Sequence, residues 1–210
     1  MKIKSVIFDM DGVLIDAKEW HYEALNRALR LFGTEINRYD HMVTFDGLPT
    51  KKKLELLSKD RGLPRALHDF VNKIKQQYTV ELVFQHCHPI FYHEYALARL
   101  KSEGYKLAVC SNSIRNTVSL MLGRAHLDQY LEFFLSNQDV TLSKPDPEIY
   151  RVAMERLGVS PECTLVLEDN AHGIQAAVAS GAHVLQIGTV EEVNYENIHK
   201  RIVEIEEGIC

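Results

Sequence analysis

Five short apolar runs punctuate the chain: Val6–Phe8, Leu107–Cys110, Phe133–Leu135, Leu165–Leu167 and Val184–Ile187. Each is nearly continuous rather than alternating, the pattern of a strand buried on both faces of a parallel sheet. Between the later runs apolar positions recur at three-to-four spacing. Val118, Met121, Leu122 and Ala125 form one such series; Ile174, Ala177 and Val178 form another, with Gly181 as its stop. Strand alternating with helix predicts a doubly wound α/β domain. One interval breaks the alternation. From about Asp16 to Cys87 only helical patterns occur: Leu25, Ala28, Leu29 and Phe32 before Gly33, Leu54 and Leu57 before Gly62, then Val71, Ile74 and Tyr78. The pattern predicts a core of residues 1–15 and 88–210, with a helical lobe, residues 16–87, inserted after the first strand over the carboxyl edge of the sheet.

Composition narrows the function. The 210 residues are 46% hydrophobic and 25% charged, which fits a soluble globular protein and excludes a disordered or fibrous one. A net charge of −5 argues against a dedicated nucleic-acid binder, whose affinity rests on clustered Lys and Arg. No apolar run is long enough to span a bilayer and no signal-peptide pattern opens the chain, so no membrane partner and a cytoplasmic location are expected. Cys87, Cys110, Cys163 and Cys210 are widely spaced, which argues against a disulfide framework. Charge is also uneven. Residues 16–87 hold 12 basic against 10 acidic side chains, leaving 12 against 19 elsewhere. Such a lobe would help draw an anion toward a carboxylate-rich core.

Open α/β sheets bind ligands beyond the carboxyl ends of their strands. Asp9, Met10, Asp11 and Gly12 follow the first run; Ser111 and Asn112 follow the second. Glu168, Asp169 and Asn170 follow the fourth, and Ser143, Lys144, Pro145 and Asp146 lead into a later helix. Asp9, Asp11, Glu168 and Asp169 would crowd four carboxylates together, which is unfavourable without a cation. Mg²⁺ is the natural guest, a hard ion that shares carboxylates, waters and substrate phosphate. Ser111 and Lys144 would then hold phosphate oxygens, with Asn112 near the start of the next helix, whose free N–H groups favour anions. Asp146-Pro147 predicts an N-cap followed by Pro at the first helical position.

These residues resemble the haloacid dehalogenase-like (HAD) superfamily, specifically its subfamily IA phosphatases and phosphomutases. The resemblance rests on four ordered motifs: Phe8-Asp9-Met10-Asp11-Gly12-Val13-Leu14, Ser111-Asn112-Ser113, Ser143-Lys144-Pro145-Asp146-Pro147-Glu148-Ile149-Tyr150, and Leu167-Glu168-Asp169-Asn170-Ala171-His172-Gly173. It implies a HAD-like, Rossmann-like parallel core with a helical cap. It also implies that Asp9 is a nucleophile forming an aspartyl phosphate, and that Asp11 protonates the leaving oxygen and then activates water. Ser111, Asn112 and Lys144 would bind the phosphoryl group, and Asp9, Asp11, Glu168 and Asp169 would form the Mg²⁺ site, Asp11 through its backbone carbonyl. Neighbouring negative charge raising the Asp11 pKa would help the first step. Retention of Asp11 favours phosphoryl transfer over the C–halogen cleavage that names the superfamily.

The expected activity is hydrolysis of a small phosphorylated metabolite, a sugar phosphate or a phosphoglycolate-like ester. In the cap, His21 matches a histidine of β-phosphoglucomutase, although a packed histidine fits equally. The loop Phe45-Asp46-Gly47-Leu48-Pro49-Thr50 resembles the subfamily's specificity loop, and His21, Phe45, Asp46, Gly47 and Thr50 are the candidate substrate contacts, with Arg115 and His172 beyond them. The mutase carries a basic residue just after the loop glycine; here Leu48-Pro49-Thr50 follows Gly47, which favours hydrolysis over mutase chemistry. Lys51, Lys52 and Lys53 read as a solvated helix start. His86, Cys87 and His88, with His93 beyond, read as hinge residues rather than a transition-metal site. A sugar phosphomutase and a non-catalytic phosphosugar-binding or regulatory module are the alternatives, and oligomeric state is left open.

Overall fold

Every predicted strand forms, with each end within one residue of its apolar run: β1 (Ser5–Phe8), β2 (Lys106–Cys110), β3 (Phe133–Leu135), β4 (Thr164–Glu168) and β5 (His183–Gln186). The computed structural model describes residues 2–208, so Met1, Ile209 and Cys210 lie outside the described residues. All strands are parallel, in the order β3-β2-β1-β4-β5. The chain therefore builds outward from β1 in both directions, and the carboxyl end of β1 is the point where the strand order switches.

The continuous apolar runs are explained by two cores. Val6, Phe8, Leu107, Val109, Leu165 and Leu167 face one apolar cluster, while Ile7, Ala108, Cys110 and Val166 face the other. Side chains alternate across a strand, so both parities must be apolar when helices cover both faces. The first face is covered by α5 (Phe91–Ser102), α6 (Arg115–Arg124) and α9 (Tyr195–Glu207) through Leu97, Met121 and Ile202; the second by α7 (Glu148–Leu157) and α8 (Ala171–Ser180) through Tyr150, Ala153 and Ala177. Val178, read from sequence as part of the buried stripe of α8, is instead 62% exposed, because Gly173, Ala176, Ala177 and Ser180 form the buried face. Helix α7 starts at Glu148, one residue later than expected, and the Asp146 carboxylate still accepts from Glu148 N at 2.9 Å.

Between β1 and α5 the described chain is helical: α1 (Lys18–Arg30), the single turn α2 (Arg38–Asp40), α3 (Thr50–Arg61) and α4 (His68–His86). Leu25, Leu29, Ile36, Phe45, Leu54, Leu57 and Val71 form a third apolar cluster that belongs to these elements alone. Asn26 fixes the α1–α2 connection by exchanging two 2.8 Å hydrogen bonds with the backbone of Ile36. At the end of α4, Cys87 is buried against Met121, His86 stacks on Trp20, and His93 is buried with Nε2 at 2.8 Å from the Val190 carbonyl.

Candidate active site

Register sets the site. Phe8 pairs with Leu167 across β1 and β4, so Asp9 and Glu168 leave the sheet side by side. Lys144 reaches them from the loop before α7. Its buried ammonium donates to Asp9 Oδ1 at 2.6 Å, to Glu168 Oε1 at 2.6 Å and to the Cys110 carbonyl at 2.8 Å. All three of its protons are used. Tyr150 Oη donates to Glu168 Oε1 at 2.5 Å and completes the network. The sequence quoted Tyr150 as part of a motif but gave it no task.

Oxygens of Asp9, Glu168 and Asp169 come within 4.8 Å of one another. Burial pushes the Asp9 carboxyl well up, and Glu168, Asp169 and Asp11 add to that against the pull of Lys144. Burial also raises Asp169, against the charge of Lys18, whose Nζ lies 2.5 Å from Asp169 Oδ2. Lys144 is held above its usual value: burial opposes its charge, but Asp9 and Glu168 outweigh burial. Three carboxylates converging as a cluster of hard oxygen donors fit a divalent cation of the Mg²⁺ type. Gly12 keeps this space open. It has φ +96°, and a Cβ there would strike Asp169 and Lys18.

Asp11 points elsewhere. Its side chain takes no part in that cluster; Oδ1 lies 3.0 Å from His21 Nε2, and Oδ2 accepts from Ser113 Oγ at 2.8 Å. The expectation of a raised Asp11 pKa is therefore corrected. Burial would raise it, but the hydrogen bond from His21, the Ser113 hydroxyl and the nearby Lys75 together hold it below its ordinary value. Lys75 Nζ lies 3.1 Å from His21 Nδ1. With the ammonium donating to Nδ1, the imidazole proton sits on Nε2 and is donated to Asp11, so the pair of contacts fixes one tautomer. Burial and Lys75 both lower the His21 pKa, which matches a neutral ring.

The helical lobe closes on the core at Gly47. Asn112 Nδ2 donates to the Gly47 carbonyl at 3.1 Å, and a Cβ on Gly47 (φ +69°) would press into Asn170. Asn112 also accepts from Lys144 N at 3.1 Å, so it ties the loop of the lobe to the loop carrying Lys144. Between them lies a cleft of about 160 Å³. Asp9, Asp11, Asn112 and Lys144 line it, as do His21, Asp46, Gly47 and Thr50 from the lobe. Ser111 sits below the floor, with Oγ 3.4 Å from Asp11 and accepting from Ser113 N, and Ser113 is the serine that faces the cleft.

Four expectations are corrected here. Phe45 turns into the apolar cluster of the lobe rather than toward ligand. Arg115 pairs with Asp139, and neither it nor His172 lines the cleft. Asp11 does not bring its carboxylate to the metal cluster. Lys53 is not solvated: it is 7% exposed and faces the cleft, while Lys52 pairs with Glu55 outside. Sequence reading also passed over Lys75, His41 and Ser113. A signal existed for the lysines, since Lys53 stands four residues before Leu57 and Lys75 four after Val71, both on buried helical stripes.

Residues 6–187 match the haloacid dehalogenase-like hydrolase family. The chain is 30% identical over 195 residues to the phosphorylated carbohydrates phosphatase of Thermotoga maritima, covering 91% of this chain and 88% of that one. It is 27% identical to the pyrophosphatase PpaX of Bacillus mycoides, over 89% of this chain and 84% of that one. Among solved structures, β-phosphoglucomutase of Clostridium difficile superposes with TM-score 0.83 at 22% identity, covering 98% and 99% of the two chains. CbbY of Rhodobacter sphaeroides, in complex with phosphate, superposes with TM-score 0.77 at 23% identity over 87% and 84%. These two likenesses establish the fold. The family match spans nearly the whole sheet and the loops that carry Asp9, Asn112, Lys144 and Glu168, and the chain belongs to the haloacid dehalogenase-like hydrolases.

Proposed function

We propose that the protein is a Mg²⁺-dependent phosphatase that hydrolyses a small phosphomonoester through an aspartyl phosphate on Asp9. One observation carries the reading: two aspartates two positions apart are turned to opposite tasks. Asp9 joins the buried carboxylate cluster beside Lys144, and Asp11 faces the lobe under control of His21. Asp9, Glu168 and Asp169 would hold the cation, which neutralises the phosphate and Asp9 enough for two anions to meet.

In the first step an Asp9 oxygen forms a bond to phosphorus. The bond to the ester oxygen breaks, and Asp11 gives that oxygen a proton. In the second step Asp11 takes a proton from water, the water oxygen attacks phosphorus, and the bond to Asp9 breaks, which frees the Asp9 carboxylate and returns Asp11 to its protonated form. A phosphate dianion arriving next to Asp11 opposes the pull of His21 and raises the carboxyl toward the protonated form that the first step needs. Lys144 and Asn112 stand where phosphoryl oxygens would be held. The helical lobe, residues 16–87, would act as a cap that closes at Gly47 and excludes water.

A panel of phosphorylated metabolites with Mg²⁺ should yield inorganic phosphate from at least one member, and EDTA should abolish release until Mg²⁺ is restored. Metal-independent turnover, or a panel that yields nothing, would sink the reading. Mutase chemistry is the second reading, favoured by the inward Lys53 near the specificity loop. It would appear as bisphosphate-dependent isomerisation faster than phosphate release.

A further inference from the structure

Lys18 opens the lobe: it is the first residue of α1, two positions after Asp16. Its side chain is 37% exposed, yet its ammonium does not lift into water as a rim lysine's normally does. The stem crosses Gly12 so closely that a Cβ on that glycine would strike Lys18 Cε. Its Nζ ends 2.5 Å from Oδ2 of Asp169, whose side chain is 1% exposed. Asp169 belongs to the carboxylate cluster with Asp9 and Glu168. A cation carried by the lobe therefore touches the oxygen donors that the core offers to a divalent ion.

Charge counting sets the consequence. Asp9, Glu168 and Asp169 carry three negative charges when ionised, and Lys144 cancels one through its contacts with Asp9 and Glu168. Two remain, the charge of one divalent cation. Lys18 cancels one of those two. The two lysines are not equivalent. Lys144 is buried and gives all three protons to fixed acceptors, so it is a permanent part of the floor. Lys18 is half-exposed, and Asp169 is its one ion-pair partner among the described residues. A hydrated ammonium on a flexible four-carbon stem can leave for water without disturbing anything else, and it is a weak substitute for a metal ion.

We propose that Lys18 is a tethered competitor of the metal: its ammonium holds Asp169 until a divalent cation displaces it. The inference rests on the metal site of the phosphatase reading and adds how that site is loaded. Displacement costs the ion pair, so the cation binds less tightly than the three carboxylates beside Lys144 would hold it unopposed. In return, the cluster keeps a counter-charge whenever no metal is bound. Because the competitor stands on α1, loading also releases one tie between lobe and core, next to the point where the chain enters the lobe.

Metal binding in the absence of substrate tests this, with Mn²⁺ as the probe and the free ion counted by electron paramagnetic resonance after EDTA treatment and dialysis. Lys18→Met should bind Mn²⁺ at least about tenfold more tightly than the wild type, the scale of one unit charge removed from a few ångströms away. Lys18→Arg keeps the charge and should bind no more tightly than the wild type. Melting temperatures supply a second readout. Without metal Lys18→Met should melt below the wild type, and saturating Mg²⁺ should remove the difference, since neither protein then keeps the ion pair. Unchanged Mn²⁺ binding by Lys18→Met overturns the inference, and weaker binding overturns it by making Lys18 a support for Asp169. If either result accompanies Mg²⁺-dependent hydrolysis by the wild type, the inference fails and the phosphatase reading stands. If the wild type binds no Mn²⁺ and hydrolyses without metal, both fail. Should Lys18→Met not fold, Lys18→Gln removes the same charge and must show the same tightening.

Discussion

Both walls of the cleft carry charge and treat it in opposite ways. On the core wall the lysine is saturated: Lys144 gives every proton to a fixed acceptor and bridges two carboxylates. On the cap wall, among the described residues, Lys53 has no ion-pair or hydrogen-bond partner and Lys75 meets only an imidazole. A network closed on itself holds its shape without ligand, which suits a site where atoms must be placed to within a fraction of an ångström. A wall with charge left over is incomplete until something binds. Preorganised chemistry on one side and ligand-dependent closure on the other form a division of labour, and each half of it can be broken separately.

The largest effect should come from the core. Asp9→Asn keeps the shape and removes the nucleophile, and kcat should fall by at least about 10³-fold, read as phosphate release. Next comes Lys144→Met, which strands Asp9 and Glu168 in a buried site without their cation. It should cost about 3–5 kcal/mol of stability by urea unfolding, besides activity. A stable, active Lys144→Met protein would show that the core wall is not a closed charge network.

His21→Ala acts where the walls meet. It removes the hydrogen bond that helps hold Asp11 down, so the Asp11 pKa rises. Because Asp11 must carry a proton for the first step, the alkaline limb of the kcat/KM profile should then move to higher pH, while the lost positioning of Asp11 costs about 10- to 100-fold. An unmoved limb would mean that His21 only packs.

The smallest effect is on stability and comes from the cap. Lys53 and Lys75 bind protons less well folded than unfolded, since both fall from 10.5, to about 8 and about 7. Between roughly pH 7 and 10 the unfolded chain holds more protons at these sites, so stability of the ligand-free protein should rise with pH across that window. His21, His41, Asp11 and Asp46 face the same space and modulate the slope. Lys53→Met should flatten the rise and leave the protein no less stable at pH 7, because it removes a desolvated charge without a partner among the described residues. A melting temperature that drops sharply in Lys53→Met would assign Lys53 a structural role instead.

The difference between the walls also explains what the sequence made legible. The strands showed because both faces of the sheet are covered, so the apolar runs are unbroken, and Asp9, Glu168 and Ser111 then follow at the strand ends by register. Lys144 was legible from its motif, but its bridging of Asp9 and Glu168 was not, since that depends on loop closure between β3 and α7. The cap wall was mostly hidden. Lys51, Lys52 and Lys53 look alike in sequence, and only the packing of Leu54 and Leu57 against the lobe turns the third inward. Phe45 was misplaced for the same reason: an aromatic residue in a specificity loop serves a ligand or a core equally well until the helices are assembled.

The central claim is that Asp9 carries the phosphoryl group while the lobe supplies selectivity. Rapid acid quench of the enzyme during turnover with Mg²⁺, using a substrate labelled in its phosphoryl group, followed by peptide mapping, tests it most directly. The account predicts label on the peptide containing Asp9 and none in Asp9→Asn. Label on another residue, or undiminished turnover by Asp9→Asn, would contradict it.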